Sequence, residues 1–356
     1  MSAPPESFVR GTIRPLAAYG PPRNPAKVGL HLNEAPYDLP HALKAELTKL
    51  LLAADWSKYP ITDGALLAED LAKAYGADAA GVLAGNGSNE LLQLLLIACI
   101  EPGDTVVIGT PSFSLYKLQA EALGARVIEV RLRGADGSFR FPIGEIARAA
   151  QNAKLVLLGS PNNPTGTQLS NEDVSQLCKD VPGLLGIDEA YRDFCGQDFA
   201  PLLKANPRLV LFRTFSKAMA AASLRVGCMI GAPALCAELR KVQLPYNLSA
   251  PSCLVARELI KRPELIRERG KLIVKERERV AEGLRELGLL VHPSGANFLL
   301  FEQERRPAGE LHAALFKRGV LIRNVSSGED LRHALRVSIG APDKNDAFLG
   351  AMKAEL

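Results

Sequence analysis

The chain has 356 residues, 47% of them hydrophobic and 23% charged, with a formal net charge of +4. That length is more than one simple core carries and suits two domains. The small charge, without a Lys/Arg cluster, excludes the basic footprint that nucleic acid or a membrane surface calls for. Six cysteines form no CxxC pair and no Cys/His group, so neither a disulfide framework nor a metal site is expected.

Residues 1 to about 40 are proline-rich and without period, and read as an arm laid over other surfaces. The opening MSAPPESFVRG holds no apolar signal segment. The longest apolar run, 91–100, is interrupted by Gln93 and is too short to span a bilayer. A cytoplasmic protein with free thiols is therefore expected.

From residue 42 a β/α alternation begins. The run LLQLLLIACI (91–100) reads as a buried helix, and short apolar runs at 104–109, 125–130, 153–160, 183–191, 208–214 and 224–231 read as strands. Continuous apolar strands between helices imply a largely parallel sheet covered on both faces. After residue 248 the character changes. A long helix is predicted over about 250–287, with Ile266, Ile273, Val280 and Leu287 as a buried stripe and mixed charges on a solvated face. Strands follow at LLVHP (289–293), NFLLF (297–301), VLIR (320–323) and LRVSIG (335–340), with helices near 308–318 and 343–355. The expected fold class is α/β: a large unit over 42–248 with a mainly parallel central sheet, and a smaller α+β unit made of 249–356 with the arm 1–41.

Four polar segments fall where an open parallel sheet binds ligands, at the carboxyl ends of its strands. AGNGSNE (84–90) combines glycines with a helix start, which suits an anion, although such turns are common. SPNNPTG (160–166) is a loop stiffened by two prolines and able to aim an amide; alone it also reads as a plain turn. In IDEAYRDF (187–194), Asp188 ends a buried strand, where a carboxylate is costly unless it meets a cation; alone it also reads as an N-cap. RTFSKAMAAASLRVG (213–227) places Lys217 among Thr214, Ser216 and Arg225, all of which can donate to a phosphate. Lys217 itself could be a phosphate ligand, a nucleophilic amine or an ordinary surface lysine. Together these groups match the needs of pyridoxal 5′-phosphate (PLP): an amine for its aldehyde, a carboxylate for its ring nitrogen, amide and hydroxyl donors for its ring oxygen, and a cradle for its phosphate.

In SPNNPTG, DEAY and RTFSKA…LRVG, in this order and spacing, the chain resembles the fold-type I PLP-dependent aminotransferases, and within them the histidinol-phosphate aminotransferases. The likeness runs from RPLAAYGPP and HLNEAPYDLP to LRVSIG. It implies that Lys217 is the Schiff-base lysine and proton shuttle, Asp188 the partner of the ring nitrogen, and Asn163 and Tyr191 the ligands of the ring oxygen. Thr214, Ser216 and Arg225, with the backbone of Ser88 and Asn89, would form the phosphate cup. Phe113 would stack on the ring, where the family usually has a tyrosine. Tyr59 would reach the cofactor of a partner subunit, which implies a homodimer with shared sites. Arg336, Arg323 and Tyr19 would hold the substrate's anionic groups, with Asn163 beside them. The implied activity is ping-pong transamination between glutamate and imidazole-acetol phosphate. A threonine-phosphate decarboxylase-like PLP lyase and an aromatic or broad-range aminotransferase are the alternatives. Three departures from the family pattern are Ala35, in place of an asparagine, Ser223, in place of a glycine, and the replacement, within GSNE (87–90), of the acidic residue common after the phosphate-turn glycine.

Overall fold

The computed structural model describes residues 4–18, 20, 25–61 and 63–356. In chain order they form a short strand β1 (Val28–Leu30), helices α1 (His41–Ala53) and α2 (Asp63–Tyr75), strand β2 (Val82–Gly85) and helix α3 (Ser88–Cys99). Then come β3 (Thr105–Thr110), α4 (Leu115–Ala122), β4 (Arg126–Arg131), α5 (Ile143–Ala149), β5 (Leu155–Gly159), α6 (Asn171–Asp180), β6 (Leu184–Asp188), β7 (Leu209–Thr214) and β8 (Gly227–Ile230). Helices α7 (Pro233–Arg240), α8 (Ala250–Ile260) and α9 (Pro263–Glu286) lead to β9 (Leu290–Val291), β10 (Phe298–Glu302), α10 (Ala308–Lys317), β11 (Val320–Asn324), β12 (Ala334–Ser338) and α11 (Pro342–Lys353).

The large sheet has the order β2-β8-β7-β6-β5-β3-β4. From β4 to β7 all neighbours are parallel. β8 runs antiparallel to both β2 and β7. The expected α/β architecture with a mainly parallel central sheet is therefore what the chain forms. Helices cover both faces: Leu91, Leu95 and Leu96 of α3 pack on one side, and Leu67 and Leu71 of α2 on the other. α6 starts with a reciprocal cap, in which the Ser170 hydroxyl accepts from the Asp173 amide and the Asp173 carboxylate accepts from the Ser170 amide.

The small sheet has the order β1-β11-β12-β10-β9. β1, three residues long and not predicted, pairs in parallel with β11, so the N-terminal chain adds an edge strand to the C-terminal sheet. The other pairings are antiparallel.

The single helix predicted over about 250–287 is two. Arg262, at φ −119° and ψ 59°, leaves helical backbone because Pro263 follows it. Pro263 then opens α9 at a position where its missing N–H costs nothing. The halves serve different cores. Val255, Ala256 and Leu259 of α8 pack in the core beneath the large sheet, with α1 and α2. Ile273 and Val280 of α9 pack on the small sheet. The charged face of α9 is also not wholly solvated. Arg269 and Arg277 are buried and donate to main-chain carbonyls, Arg269 Nη2 to Asp38 at 3.0 Å and Arg277 Nη1 to Ala296 at 3.0 Å.

Across the two sheets, Arg133 Nη1 donates to Glu302 Oε1 at 2.7 Å, and the same oxygen lies 2.7 Å from His292 Nε2. This bond holds β10 against the chain leaving β4. Among the described residues no helix is long and apolar enough to cross a membrane, and none of the six cysteines is in a disulfide.

Candidate active site

The ends of β5, β6 and β7 open onto a cavity of about 940 Å³, closed on its far side by β11 and β12. Among the described residues, every site residue proposed from the sequence borders it except Tyr59. Tyr59 lies outside, 73% exposed, its ring stacked on Tyr246 at 4.7 Å. Tyr19 lies outside the described residues.

One end of the cavity is a cluster of donors. β2 ends at Gly85 and α3 begins at Ser88, so the first amides of α3 face the cleft with the positive end of the helix dipole behind them. Gly87 sits at φ +78°, and a Cβ there would come within 2.6 Å of the Arg225 guanidinium. A Cβ on Gly227 would come within 2.4 Å of the Ser88 amide nitrogen. Glycine at both positions thus lets the helix end, Arg225 and β8 converge. The Thr214 hydroxyl donates to Ser216 Oγ at 3.0 Å, and Arg225 Nη1 donates to the same oxygen at 3.2 Å. Arg225 holds a left-handed backbone, φ 54°, which most L residues avoid. Hydroxyls, amides and a guanidinium gathered in this way make a site for a dianion.

Farther in, Asp188 ends β6. Its Oδ1 accepts from the Ala190 amide at 3.0 Å and its Oδ2 from the Tyr116 hydroxyl at 2.9 Å. Burial pushes its pKa up to about 6, against the pull of these two bonds. Tyr116, on the first turn of α4, is buried and stands edge-on to Phe113 at 5.6 Å between ring centres. Sequence reasoning singled out Phe113 and passed over Tyr116 three residues later.

Lys217 is half-buried, with its amine 3.2 Å from the Leu32 carbonyl and 5.6 Å from the centre of the Tyr191 ring. Burial brings its pKa down to about 8, and Arg336 and Arg225 push the same way against Glu34 and Asp188. Near pH 7 about a tenth of this amine is therefore neutral, over a hundredfold more than for a lysine at its ordinary value of 10.5, and the neutral form is what a nucleophile or base requires.

Asn163 and Tyr191 stand on the wall near the amine. Arg336 Nη1 donates to Asn163 Oδ1 at 2.5 Å, and its Nη2 donates to the His31 carbonyl at 2.7 Å. With its oxygen engaged, Asn163 presents its NH₂ to other acceptors. The Tyr191 oxygen accepts from Asn33 Nδ2 at 3.0 Å. Arg323 lies opposite Arg336 in the strand register, on the same cavity wall. Besides Tyr116, the residues unforeseen from sequence are Asn33 and the carbonyls of His31 and Leu32, all from the arm. Nothing local marks them, since each acts on a partner far away in the chain.

The chain resembles known proteins over nearly its whole length. Residues 25–352 match the family described as aminotransferase class I and II. The chain is 36% identical over 348 residues to a histidinol-phosphate aminotransferase of Aquifex aeolicus, covering 97% of each chain. It is 32% identical over 351 residues to one of Caldanaerobacter subterraneus subsp. tengcongensis, covering 98% of each. The crystal structure of the histidinol-phosphate aminotransferase from Clostridium acetobutylicum superposes with a TM-score of 0.84 at 25% identity, over 92% of this chain and 98% of that one. A cavity with a depressed lysine, a strand-end carboxylate and an anion cradle is thus set in a chain that belongs to the aminotransferase class I and II family.

Proposed function

We propose that this protein is a PLP-dependent histidinol-phosphate aminotransferase, exchanging an amino group between glutamate/2-oxoglutarate and imidazole-acetol phosphate/L-histidinol phosphate. The observation that carries this reading is that one cavity holds Lys217, with its pKa near 8, together with two arginines opposed across β11 and β12.

PLP fits the groups present. The donor cradle, which a Cβ on Gly87 would obstruct, suits its phosphate. The Asp188 carboxylate, with each oxygen accepting a bond, suits a protonated ring nitrogen. The Asn163 amide and Tyr191 hydroxyl suit its ring oxygen, and the Lys217 amine suits its aldehyde. When bound, PLP supplies that aldehyde and a ring that takes up the electrons of the bond broken at the substrate carbon.

The chain's own residues do the rest. Lys217 Nζ takes a proton in its neutral form and returns it in its charged form, and a pKa near 8 lets it do both at physiological pH. Asp188 Oδ1 and Oδ2 are held in place by Ala190 and Tyr116, so the carboxylate stays aimed into the cavity without reorganising. Phe113 walls the cavity with an apolar face and keeps water from it. Arg336 and Arg323 bind and orient substrate anions; a planar guanidinium suits both a carboxylate and a phosphate, so one clamp serves both half-reactions.

The same reading includes a homodimer. Leu52 at the end of α1 and Trp56, Tyr59 and Ile61 between α1 and α2 are more than 70% exposed, as is Leu244 beyond α7. An apolar patch of this kind is the sort of surface a second copy covers. Residues 42–248 are taken as the cofactor-holding unit, with the arm and the C-terminal sheet closing over it. Six cysteines without a disulfide suit a reducing, cytoplasmic setting.

The test is the absorption spectrum of the PLP-loaded protein. Addition of L-histidinol phosphate should bleach the yellow band and raise the near-ultraviolet band of pyridoxamine phosphate, and 2-oxoglutarate should reverse it. A yellow protein that histidinol phosphate leaves unchanged would overturn the substrate assignment. A protein that takes up no PLP would overturn the whole reading.

A further inference from the structure

Three consecutive arm residues each bond a different residue of the cavity. The His31 carbonyl accepts from Arg336 Nη2 at 2.7 Å, the Leu32 carbonyl from Lys217 Nζ at 3.2 Å, and Asn33 Nδ2 donates to the Tyr191 hydroxyl at 3.0 Å. The first two contacts come from the main chain and need no particular side chain. The third comes from a side chain, and Asn33 is held harder than its neighbours.

Asn33 is 2% exposed and sits in the left-handed region at φ 55°, which asparagine tolerates better than most residues. Its amide N–H donates to Ser338 Oγ at 2.8 Å, and the Ser338 hydroxyl donates back to Asn33 Oδ1 at 2.9 Å. Its carbonyl accepts from Asn297 Nδ2 at 3.0 Å. Ser338 engages Oδ1, so the NH₂ of the carboxamide is the half turned to Tyr191. Ser338 also lies two residues beyond Arg336 on β12, hence on the same face of the strand.

Tyr191 is fixed as well, edge-on to Phe298 at 5.1 Å. A phenolic proton lies in the plane of its ring, where two directions are open to it. An N–H donor occupying one of them leaves the other for the proton. We propose that Asn33 is a positioning residue: its Nδ2 donates to the Tyr191 oxygen and so turns the Tyr191 proton away from Asn33, toward the ring oxygen of the cofactor. This deepens the function proposed above and rests on it. It also accounts for asparagine at this point of the arm, since a left-handed backbone, an acceptor for Ser338 and a donor for Tyr191 are needed together.

The substitution Asn33→Asp tests this with little change of shape. Aspartate tolerates the same backbone but replaces the donor by an oxygen, so Tyr191 would donate to it and turn its lone pair to the cofactor. The readout is the pH midpoint of the visible absorbance of Lys217-bound PLP, which a hydrogen bond to the ring oxygen holds down. Asn33→Asp should raise this midpoint by about one unit or more, a tenfold change in the proton equilibrium. The added charge shifts the midpoint by itself, so the same substitution is made in a Tyr191→Phe background, where its shift should be clearly smaller. Asn33→Gly, which keeps the backbone conformation and deletes the donor, should give a part of the rise and serves if the aspartate variant melts early. Equal shifts with and without Tyr191, or no shift in either Asn33 variant, would overturn the proposal while leaving PLP binding intact. A wild-type protein that takes no PLP would overturn the parent reading and this one with it.

Discussion

Arg323 on β11 and Arg336 on β12 are register partners across an antiparallel pair, and both border the cavity. Side chains opposite one another on such a pair share a face, and like charges there repel. Two of the bonds Arg336 makes go to neutral oxygens, of Asn163 and His31. A doubly charged substrate group between the two guanidiniums relieves the repulsion, and it does so more for a phosphate than for a single carboxylate.

Arg323→Ala should therefore raise KM for L-histidinol phosphate about ten- to a hundredfold with kcat largely kept, the scale of one lost charge-assisted bond. The glutamate half-reaction should suffer less. Steady-state kinetics with each substrate in turn makes the comparison. An equal loss for both would move Arg323 away from the phosphate end.

The depressed pKa of Lys217 has a visible consequence. Only the neutral amine attacks an aldehyde, and below a pKa of about 8 its fraction falls tenfold per pH unit. Loading of PLP onto the protein should accelerate on the order of a hundredfold between pH 6 and pH 9 and level off above about pH 8. Stopped-flow absorbance reads this directly. A rate still climbing steeply near pH 10 would mean a lysine at its ordinary value of 10.5. Lys217→Ala should neither acquire the yellow band nor turn over, with its melting temperature near that of the wild type.

Tyr116 is the buried partner of Asp188 at 2.9 Å, and its hydroxyl is one of the groups that offset the cost of burying that carboxylate. Tyr116→Phe keeps the ring and its edge contact with Phe113. Asp188 loses a bond that lowers its pKa, so its pKa should rise above about 6 and it should hold a protonated ring nitrogen less firmly. PLP affinity should fall about tenfold, the scale of one hydrogen bond to a charged group. Equilibrium dialysis measures it. An unchanged affinity would leave Tyr116 as packing alone.

Sequence reading succeeds where a residue's chemistry is marked within one short segment. Parallel strands buried on both faces are continuous apolar runs, so Asp188 stands out at the end of LLGID. Lys217 and Asn163 lie within short motifs that are complete in themselves. The bonds that orient them are not. Tyr116 is 72 residues from Asp188, Asn33 is 158 from Tyr191, and His31 is 305 from Arg336. Only the packing of the sheets brings such pairs together. Other features carried signals that the periodicity argument overrode. Pro263 ends one helix and starts the next. Only a three-residue 3-10 turn, Ala222–Leu224, lies between β7 and β8, too little for a parallel crossover, so β8 returns antiparallel. Arg269 and Arg277 read as solvated charges, but main-chain carbonyls of other segments receive them.

The exposed Tyr59 allows a test of the dimer that does not depend on seeing the interface. It stacks on Tyr246 outside the cavity of its own chain, so any service it gives to a cofactor is given to a partner's site. In a mixed dimer of Lys217→Ala with Tyr59→Phe, one site then carries both substitutions and the other carries neither. Mixing and re-annealing the two weak variants should restore full PLP affinity in one site per hybrid, about half the wild-type activity per dimer at limiting PLP. If Tyr59 acted within its own chain, every hybrid site would keep one lesion and mixing would restore nothing. Sedimentation of Leu244→Glu provides the companion measurement. A charge in the apolar patch should shift the protein from dimer to monomer, and a wild type that sediments as a monomer would remove the shared site altogether.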